Sequence, residues 1–457
     1  MPGSRRRFPE MDENRYRLLK TIEIALFFCI CFLTAASLQI DHAPDEAMRY
    51  LIPQYIVKHH ALPIGSETEV MHSLWGFSYA LYPYLTSILS AFFMELASLF
   101  SGGAASMLLA ARLVSVLSGT MALSFVFKIG ELLWKDKKYA LLLATFFAFL
   151  PQFVFLCSYQ NNDSFAIFCT AMILYYWIKG MKNGWKMGTC IGLGLACGLC
   201  ALSYYNAYIY LLCSIPAFFI SSYLYRQKVK KMLARAGLIL AVAFLVAGWF
   251  FIRNALLHQG DFLGIRTSNE LAEEHAQEEY KPSNKLSPAE EGLSFADTFL
   301  HEYKDHKANW FVSSICSFIG SFSYLSVHLN NFMYAVYLAI LGIGFLLFLF
   351  LSLGQNWWKQ KERRLLFFLF AACILLSLGL SMYNSYYSDY QAQGRYLMPA
   401  LIPLMIFITD GYGRGPGKCK SKGKKAAGSI LLASIYLLLF AVSYLKYLLP
   451  NCLSFSL

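Results

Sequence analysis

The segment IDHAPDEAMRY, Ile40–Tyr50, places four charged residues and a histidine directly after the first long hydrophobic run of the chain. That run, Thr21–Leu38, is long enough to cross a bilayer, because about 20 apolar residues in a helix span roughly 30 Å of hydrocarbon. A polar cluster at the end of a crossing marks the point where the chain returns to water. The segment therefore predicts a membrane protein with chemistry beside its first crossing.

The composition of the whole chain agrees with a membrane protein. Of 457 residues, 57% are hydrophobic and 14% are charged, whereas soluble domains average about 45–50% apolar and about 25% charged residues. Apolar runs long enough to cross a bilayer recur from end to end, which leaves no room for a sizeable soluble domain. We expect an all-α polytopic membrane protein that forms one integral membrane domain over residues 1–457.

The charge of the chain carries information on topology. Its net charge of +12 comes from short basic clusters between hydrophobic runs, as cytoplasmic loops require, and we do not expect nucleic acid as a partner. The basic triplet Arg5–Arg7 precedes Thr21–Leu38 without a small-residue cleavage site, so we interpret that run as a retained signal anchor. Most of the twelve cysteines lie inside apolar runs, which is typical neither of a disulfide framework nor of a metal cluster.

Basic loops mark the cytoplasmic side of a membrane protein. We therefore expect five basic clusters to lie inside, at 134–139, 179–186, 226–235, 359–364 and 418–425. The intervening polar loops then lie outside, at 158–163, 203–206, 258–327 and 383–396. The long external loop, 258–327, is also acidic, since the part from Asp261 to Lys307 has a net charge of −6.

The same rule limits the number of crossings before the first basic cluster. With the N-terminus and Lys135–Lys138 both inside, the stretch 78–134 must contribute an odd number of crossings, although it holds two apolar runs, 79–100 and 107–133. We expect 79–100 to lie in the interface or to re-enter. The chain then crosses about eleven times, and its C-terminus is external.

The first external loop, 41–78, contains the segment quoted above. Pro44 suits the first turn of a helix, and the apolar spacing that follows predicts an amphipathic surface helix bent at Pro53. Asp45 and Glu46 then occupy its first turn, where a carboxylate stabilises the helix dipole or acts as a general base. We interpret Asp45 as the candidate base and Glu46 as its support.

Three arginines are predicted at the outer ends of separate spans, namely Arg112, Arg253 and Arg395. Such arginines either extend to the interface or serve a site, because a charge inside the membrane is costly. Guanidinium groups bind phosphate through paired, charge-assisted hydrogen bonds. If the three converge, they form a site for the phosphate of a lipid.

Further polar residues accompany these positions at the predicted outer face. Asn162 and Asp163 open an inward span, where helix capping is the alternative role. Interface anchoring is the alternative for Tyr204 and Tyr205. The candidate substrate-binding residues are Asn162, Asp163, Tyr204, Tyr205, Asn254 and Tyr396.

Several motifs in the same order resemble the GT-C class of membrane glycosyltransferases, which includes protein O-mannosyltransferases and the lipid A aminoarabinose transferase. They are PDEAMRY, HHALP, YPYL and AARL, followed by GWFFIRNALLHQGDFLG and QGRYLMPALIPL, and the last two are similar to segments of a poorly characterised bacterial subfamily of the class. The resemblance covers most of the chain. It departs at LSYYNAY, where the related subfamily tends to carry a lysine.

The resemblance implies a GT-C fold with surface helices in the first external loop and a catalytic base at Asp45. It also implies an inverting transfer of sugar from a polyprenyl-phosphate donor, at the outer face of the cell membrane. The acceptor is a glycan, a lipid or a protein, and membrane lipids surround the enzyme. No cofactor is expected, since a phosphate leaving group needs no obligatory metal. A divalent metal held by Asp45, Glu46 and a nearby histidine (His59, His60 or His72) is the alternative.

Two rival functions fit the same composition. A polysaccharide polymerase or ligase also has many spans, a long external loop and external arginines, but it does not need an acidic pair after the first crossing. A transporter of lipid-linked glycans would show inverted repeats and charges deep in its spans. The sequence shows no internal repeat, and its charges cluster at one predicted face.

Overall fold

The computed structural model describes residues 12–304, 307–353, 360–414 and 422–452. Arg5–Arg7, Lys359 and the part of the basic cluster 418–425 that precedes Lys422 lie outside the described residues. Within these ranges the chain is almost entirely helical, and its one sheet is a two-stranded hairpin.

The first half of the chain forms ten α-helices. They are α1 (Glu13–Ser37), α2 (Glu46–His59), α3 (Leu85–Ser98), α4 (Ala104–Leu133), α5 (Lys138–Ala148), α6 (Pro151–Leu156), α7 (Asp163–Asn183), α8 (Met187–Ala201), α9 (Tyr208–Leu224) and α10 (Val229–Leu257). Asp12 begins α1 by accepting a hydrogen bond from the Asn14 backbone N–H at 3.1 Å, as an N-cap does.

The second half begins with the segment 258–327. It contains α11 (Ile265–His275), α12 (Phe295–Leu300), α13 (Trp310–Gly320) and the antiparallel strands β1 (Ser321–Phe322) and β2 (Val327–His328). The remaining helices are α14 (Asn331–Leu353), α15 (Lys361–Tyr387), α16 (Leu401–Arg414), α17 (Lys422–Ser443) and α18 (Leu449–Cys452). A 3₁₀ segment, Gly394–Ala400, leads into α16.

Nine helical segments among the described residues are long and apolar enough to cross a membrane. They comprise α1, α4, α7, α9 and α10, then α14, α15, the segment Gly394–Arg414 and the segment Gly428–Cys452. The shorter α8 packs against α7 and α10, and the α5–α6 pair packs against α4 and α16. The expected all-α polytopic membrane fold is confirmed, and the expected count of about eleven crossings stays a prediction.

The helix α3 behaves differently from its apolar neighbours. Its 14 residues extend about 21 Å at 1.5 Å per residue, which is shorter than the hydrocarbon layer. It packs along α2 and α4. Its length is therefore consistent with the prediction that the run 79–100 does not cross.

Aromatic side chains fill the centre of the bundle, where α1, α5 and α6 meet. Phe27 stacks on Phe153 with ring centroids 5.6 Å apart, and Phe147 lies 4.4 Å from the same ring. All three side chains are fully buried. Their packing fixes the bundle below the loops that carry the polar residues.

The polar segments at one end of the bundle are also packed. Helix α2 buries both apolar and charged residues, including Met48, Glu46 and Arg49, so it is covered by protein where a simple surface helix would expose its polar face. Gly76 adopts a φ of +65° and lies so close to α11 that a Cβ would be 2.2 Å from the Ala276 nitrogen. The end of α11, in the segment 258–327, thus packs closely against the loop 41–78.

Candidate active site

The turn between α1 and α2 directs two adjacent carboxylates apart. Asp45 precedes α2 with φ 63° and ψ −1°, in the left-handed region that few residues other than glycine adopt. Strain of this kind is concentrated at functional sites. Because the backbone turns here, Asp45 and Glu46 acquire separate partners.

Glu46 is fully buried and binds Arg112 through both carboxylate oxygens. Arg112 Nε donates to Oε1 at 2.7 Å, and Arg112 Nη2 donates to Oε2 at 2.6 Å. The Gln160 backbone N–H also donates to Oε1, at 2.8 Å. This fully bonded carboxylate ties α2 to α4 and to the loop before α7.

Arg112 extends the same connection to the end of α1. Its Nη1 donates to the carbonyl oxygens of Ala35 and Leu38, at 2.8 and 2.6 Å. The side chain is 2% exposed and does not line the cavity described below. The structure therefore places Arg112 in a buried ion pair, where Glu46 and the end of α1 accept four hydrogen bonds from it, and its role at a phosphate stays a prediction.

Asp45 pairs instead with Arg395, at the start of the 3₁₀ segment before α16. Arg395 Nη2 donates to Asp45 Oδ2 at 2.7 Å and to the Tyr396 hydroxyl at 2.9 Å. Gly394 makes this position reachable, since its backbone lies so close to α13 that a Cβ would be 2.1 Å from the Phe318 nitrogen. Among the described residues, no donor contacts Asp45 Oδ1, and the Asp45 side chain is 27% exposed.

Asp45, Arg395 and Tyr396 line a cavity of about 780 Å³. The lining combines aromatic side chains, polar residues of α15 and residues of the segment 258–327. The other lining residues include Met48, Trp75, Phe77, Tyr79, Tyr82, Tyr204, Asn206, Tyr280, Lys285, Ser377, Ser381 and Asn384. The size and the mixed lining suit a small-molecule or headgroup ligand.

Arg49 is the cation that sequence reasoning left out of the site. Its guanidinium lies 3.9 Å from the centroid of the Tyr79 ring and 5.6 Å from that of Tyr204, two rings that line the cavity. The residue is 5% exposed, and no acceptor among the described residues takes a hydrogen bond from its side chain. Its place one helical turn after Asp45 was the available signal, since residues four apart share a helix face.

The charges around Asp45 keep it ionised. Burial raises the pKa of Asp45, but the nearby positive charges of Arg395 and Arg49 outweigh burial, so the pKa is lowered below its ordinary value. Burial also lowers the pKa of His72, which interacts electrostatically with Asp45. The site therefore contains a carboxylate that is charged at neutral pH beside a neutral imidazole.

The structure brings some of the predicted residues to the cavity and not others. Asp163, at the first turn of α7, is buried and interacts electrostatically with Arg395, Arg49 and Asp45. Tyr204 and Tyr396 line the cavity. These three, with Asp45 and Arg395, are the predicted residues that cluster.

The remaining predicted residues hold loops together. The Asn162 amide accepts from Thr86 and donates to the carbonyls of Pro83 and Ser203, both at 3.1 Å. Arg253 donates to the carbonyls of Leu62 and Pro63, at 3.1 and 2.9 Å. Asn254 and Tyr205 similarly donate to the carbonyls of Leu81 and Leu263, at 2.8 and 2.6 Å. The structure therefore places Arg253 and the other three in contacts that join loops, and none of the four lines the cavity. Arg253 Nη1 and Asn254 Oδ1 are buried and have no hydrogen-bond partner among the described residues. Their roles at a substrate stay predictions.

The residues considered as metal ligands do not converge. Glu46 binds Arg112, while His59 contacts Glu69 at 3.1 Å and His60 contacts Glu95 at 3.3 Å. Within the described ranges no group of three or more histidine, cysteine or acidic residues has the arrangement to hold a metal ion.

Solved structures with the same fold define its class. The oligosaccharyltransferase of Archaeoglobus fulgidus, in its apo form, superposes with a TM-score of 0.59 at 13% identity, covering 94% of this chain and 56% of that one. ArnT from Cupriavidus metallidurans, bound to undecaprenyl phosphate, gives 0.53 at 13% identity, with 93% and 64% covered. The mycobacterial arabinofuranosyltransferase AftD gives 0.54 at 13% identity, with 95% and 27% covered.

These neighbours are GT-C glycosyltransferases, so the expected GT-C fold is confirmed. The chain spans 56%, 64% and 27% of their lengths, respectively. By sequence the chain belongs to the family described as "Predicted membrane protein (DUF2142)", whose model matches residues 61–405. No curated protein matches the sequence.

Proposed function

We propose that this protein is a glycosyltransferase that moves a sugar from a polyprenyl-phosphate donor to an acceptor, with inversion at the anomeric carbon. The observation that carries the proposal is a cavity lined by Asp45, ionised and with one free oxygen, and by Arg395, while the Arg49 guanidinium lies against Tyr79 and Tyr204, two of the lining rings. A base next to two cations is what transfer from a lipid phosphate requires. From the basic clusters of the sequence we infer that this cavity opens at the external face of the cell membrane.

The mechanism is a single displacement. The acceptor hydroxyl or amine attacks the sugar C1, and Asp45 Oδ1 takes its proton as the new bond forms. The bond between C1 and the phosphate oxygen breaks, and its electron pair leaves with the polyprenyl phosphate. Because a phosphate departs without being protonated, one carboxylate is sufficient, whereas glycoside hydrolysis generally uses two.

Arg395 and Arg49 both bind the phosphate of the donor in this mechanism. Arg395 keeps Asp45 in place through Nη2, while its buried Nε has no partner among the described residues. The Arg49 guanidinium likewise donates no hydrogen bond to another of the described residues. Both groups therefore have donors for the charge that develops on the leaving group, in a site shielded from bulk water.

The GT-C fold favours transfer over the transporter and polymerase alternatives, and two of its neighbours carry ligands that fit the proposal. ArnT was solved with undecaprenyl phosphate, and the Archaeoglobus fulgidus oligosaccharyltransferase with dolichol phosphate and an inhibitory peptide. A lipid phosphate is thus bound by proteins of this fold. The acceptor of this chain remains a glycan, a lipid or a protein.

The variant Asp45→Asn tests the proposal. We expect transfer of radiolabelled sugar from undecaprenyl-phosphate-linked hexoses to fall by roughly 100-fold or more, because general-base catalysis contributes about 10²–10⁴-fold. The protein should remain folded, since the replaced side chain is partly exposed. The matched control is Glu69→Gln, an exposed carboxylate of the same loop that pairs with Lys58 and His59. Wild-type turnover by Asp45→Asn would contradict the assignment of the base.

A further inference from the structure

Two serines on α15 line the candidate active-site cavity. Ser377 and Ser381 are one helical turn apart, and Asn384 continues the same face toward the end of the helix. The two serines are 2% and 6% exposed. A polar stripe of this kind faces the cavity that also holds Asp45.

The hydroxyl groups of Ser377 and Ser381 are without hydrogen-bond partners among the described residues. Buried helical serines usually donate to the carbonyl four residues earlier. Ser118, Ser221 and Ser443 do so here, at 2.6, 2.5 and 2.9 Å. The serines of α15 lack even this bond, as do Ser115, Ser222 and Ser314. Of these five serines it is the α15 pair that lines the cavity, so their hydroxyls are available to a ligand.

The lining of the cavity has further matching groups. Asn206 has a buried Nδ2 with no partner in the described part of the chain, and the rings of Tyr204 and Tyr82 lie beside it. Aromatic faces pack against the C–H faces of a sugar ring, and neutral hydroxyl and amide groups bind its hydroxyls. This combination is the chemistry of carbohydrate recognition.

The location of these groups connects them to the phosphate site. The 3₁₀ segment that carries Arg395 packs against α15 on one side and against the turn that contains Asn206 on the other. A sugar attached to a phosphate at Arg395 therefore lies between Ser377, Ser381 and Asn206.

The charges of the cavity select among sugars. Lys285 pairs with Asp389 at 2.9 Å, and Asp45 pairs with Arg395 at 2.7 Å. Glu290 accepts from Ser287 at the edge of the cavity. Ser377, Ser381 and Asn206 carry no charge themselves, so these three side chains offer no ion pair to an ammonium or carboxylate group on the sugar.

Resting on the proposed function, we propose that Ser377, Ser381 and Asn206 form the subsite for the transferred sugar and that this sugar is a neutral, hydroxyl-rich ring. The two serine hydroxyls bind neighbouring sugar hydroxyls, and Asn206 Nδ2 donates to a third. An amino sugar or a uronic acid finds no counter-charge in this subsite.

The test compares the full-length wild type with the double variant Ser377→Ala/Ser381→Ala, both in lipid nanodiscs. The probes are undecaprenyl phosphate, undecaprenyl-phosphate-linked glucose and the corresponding glucosamine lipid. We expect the wild type to bind the glucose-linked lipid more tightly than undecaprenyl phosphate alone. Each serine-to-alanine change should reduce this gain in affinity by roughly fivefold. Glucosamine should improve the affinity less than glucose does, and Ser118→Ala, the control for a back-bonded serine, should behave as the wild type.

A second measurement makes the variant informative about stability. Since each hydroxyl is buried without a partner, its removal should leave the melting temperature of the unliganded protein unchanged or higher. A lower melting temperature would show that the hydroxyls bond within the protein, and it would overturn the subsite.

The outcomes separate the two proposals. Equal glucose enhancement in the wild type and the double variant would overturn the subsite and leave the proposed function standing. Absence of any undecaprenyl phosphate binding to the wild type would overturn the proposed function. In that event, saturation-transfer NMR with methyl glucoside still tests the subsite: a signal lost in the double variant supports it, and an unchanged signal or none in the wild type refutes it.

Discussion

Asp45 and Glu46 are adjacent in the sequence, yet the structure places them in opposite environments. Glu46 is fully buried, with both oxygens bonded to Arg112 and one also to a backbone N–H. Asp45 is partly exposed and keeps Oδ1 free while Oδ2 contacts Arg395. A carboxylate whose oxygens are occupied supports the fold, whereas one with a free oxygen beside a cavity can accept a proton.

The largest expected effect concerns the buried pair. Arg112→Ala leaves the Glu46 charge buried without a partner, and breaking such a pair costs about 3–5 kcal/mol. We expect the variant to unfold at a much lower temperature or to fail to accumulate, as followed by thermal unfolding of the detergent-purified protein. A wild-type melting temperature would show that the Glu46–Arg112 pair does not hold α1, α2 and α4 together.

The second effect concerns the cation beside the reactive carboxylate. Arg49→Met removes a charged donor from the proposed phosphate site, and a hydrogen bond to a charged group contributes about 1.5–3 kcal/mol. We therefore expect the KM for the lipid donor to rise roughly tenfold to a hundredfold. An unchanged KM would exclude Arg49 from phosphate binding.

Arg253 serves as the matched control for Arg49. Arg253→Met loses the two hydrogen bonds to the carbonyls of Leu62 and Pro63, which should lower stability by about 1 kcal/mol each at most. The donor KM should stay at its wild-type value, because two backbone carbonyls hold the Arg253 guanidinium, whereas the Arg49 guanidinium lies against Tyr79 and Tyr204, two rings that line the cavity. If the donor KM rises as in Arg49→Met, the sequence-based placement of Arg253 at the phosphate is right and the structural one is wrong.

The smallest effect is on pH dependence. Since the pKa of Asp45 is lowered, the base stays deprotonated down to below its ordinary value of about 3.9, and the acid limb of kcat/KM lies below that pH. Asp45 likewise stabilises the folded state above its ordinary pKa, and this contribution is lost as the pH falls through the lowered value. Arg395→Met removes the principal positive charge beside Asp45, so the acid limb of the kcat/KM profile should move to higher pH. If the limb does not move, it reports the titration of a group other than Asp45.

Hydropathy patterning was sufficient to predict an all-α polytopic membrane fold, because the membrane imposes a length rule on each crossing. The parity of the basic loops predicts in addition that 79–100 does not cross, and this stays a prediction. The resemblance of PDEAMRY and QGRYLMPALIPL to GT-C motifs indicated the class.

The site was predicted only in part. A sequence shows that Arg112, Arg253 and Arg395 lie near helix ends, but it does not show that backbone carbonyls and Glu46 occupy the first two. Arg49 was overlooked because it lies in a helix that was expected to face the membrane surface. Its burial against Tyr79 depends on the long-range packing of other segments over α2.

The central claim is that the cavity between Asp45, Arg49 and Arg395 is the site of the lipid phosphate. A single-particle structure of the full-length protein with undecaprenyl phosphate tests it most directly. We predict phosphate oxygens about 3 Å from the guanidinium groups of Arg49 and Arg395, with Asp45 Oδ1 facing the same cavity. A phosphate bound at Arg253 or elsewhere, with this cavity left unfilled, would contradict the account.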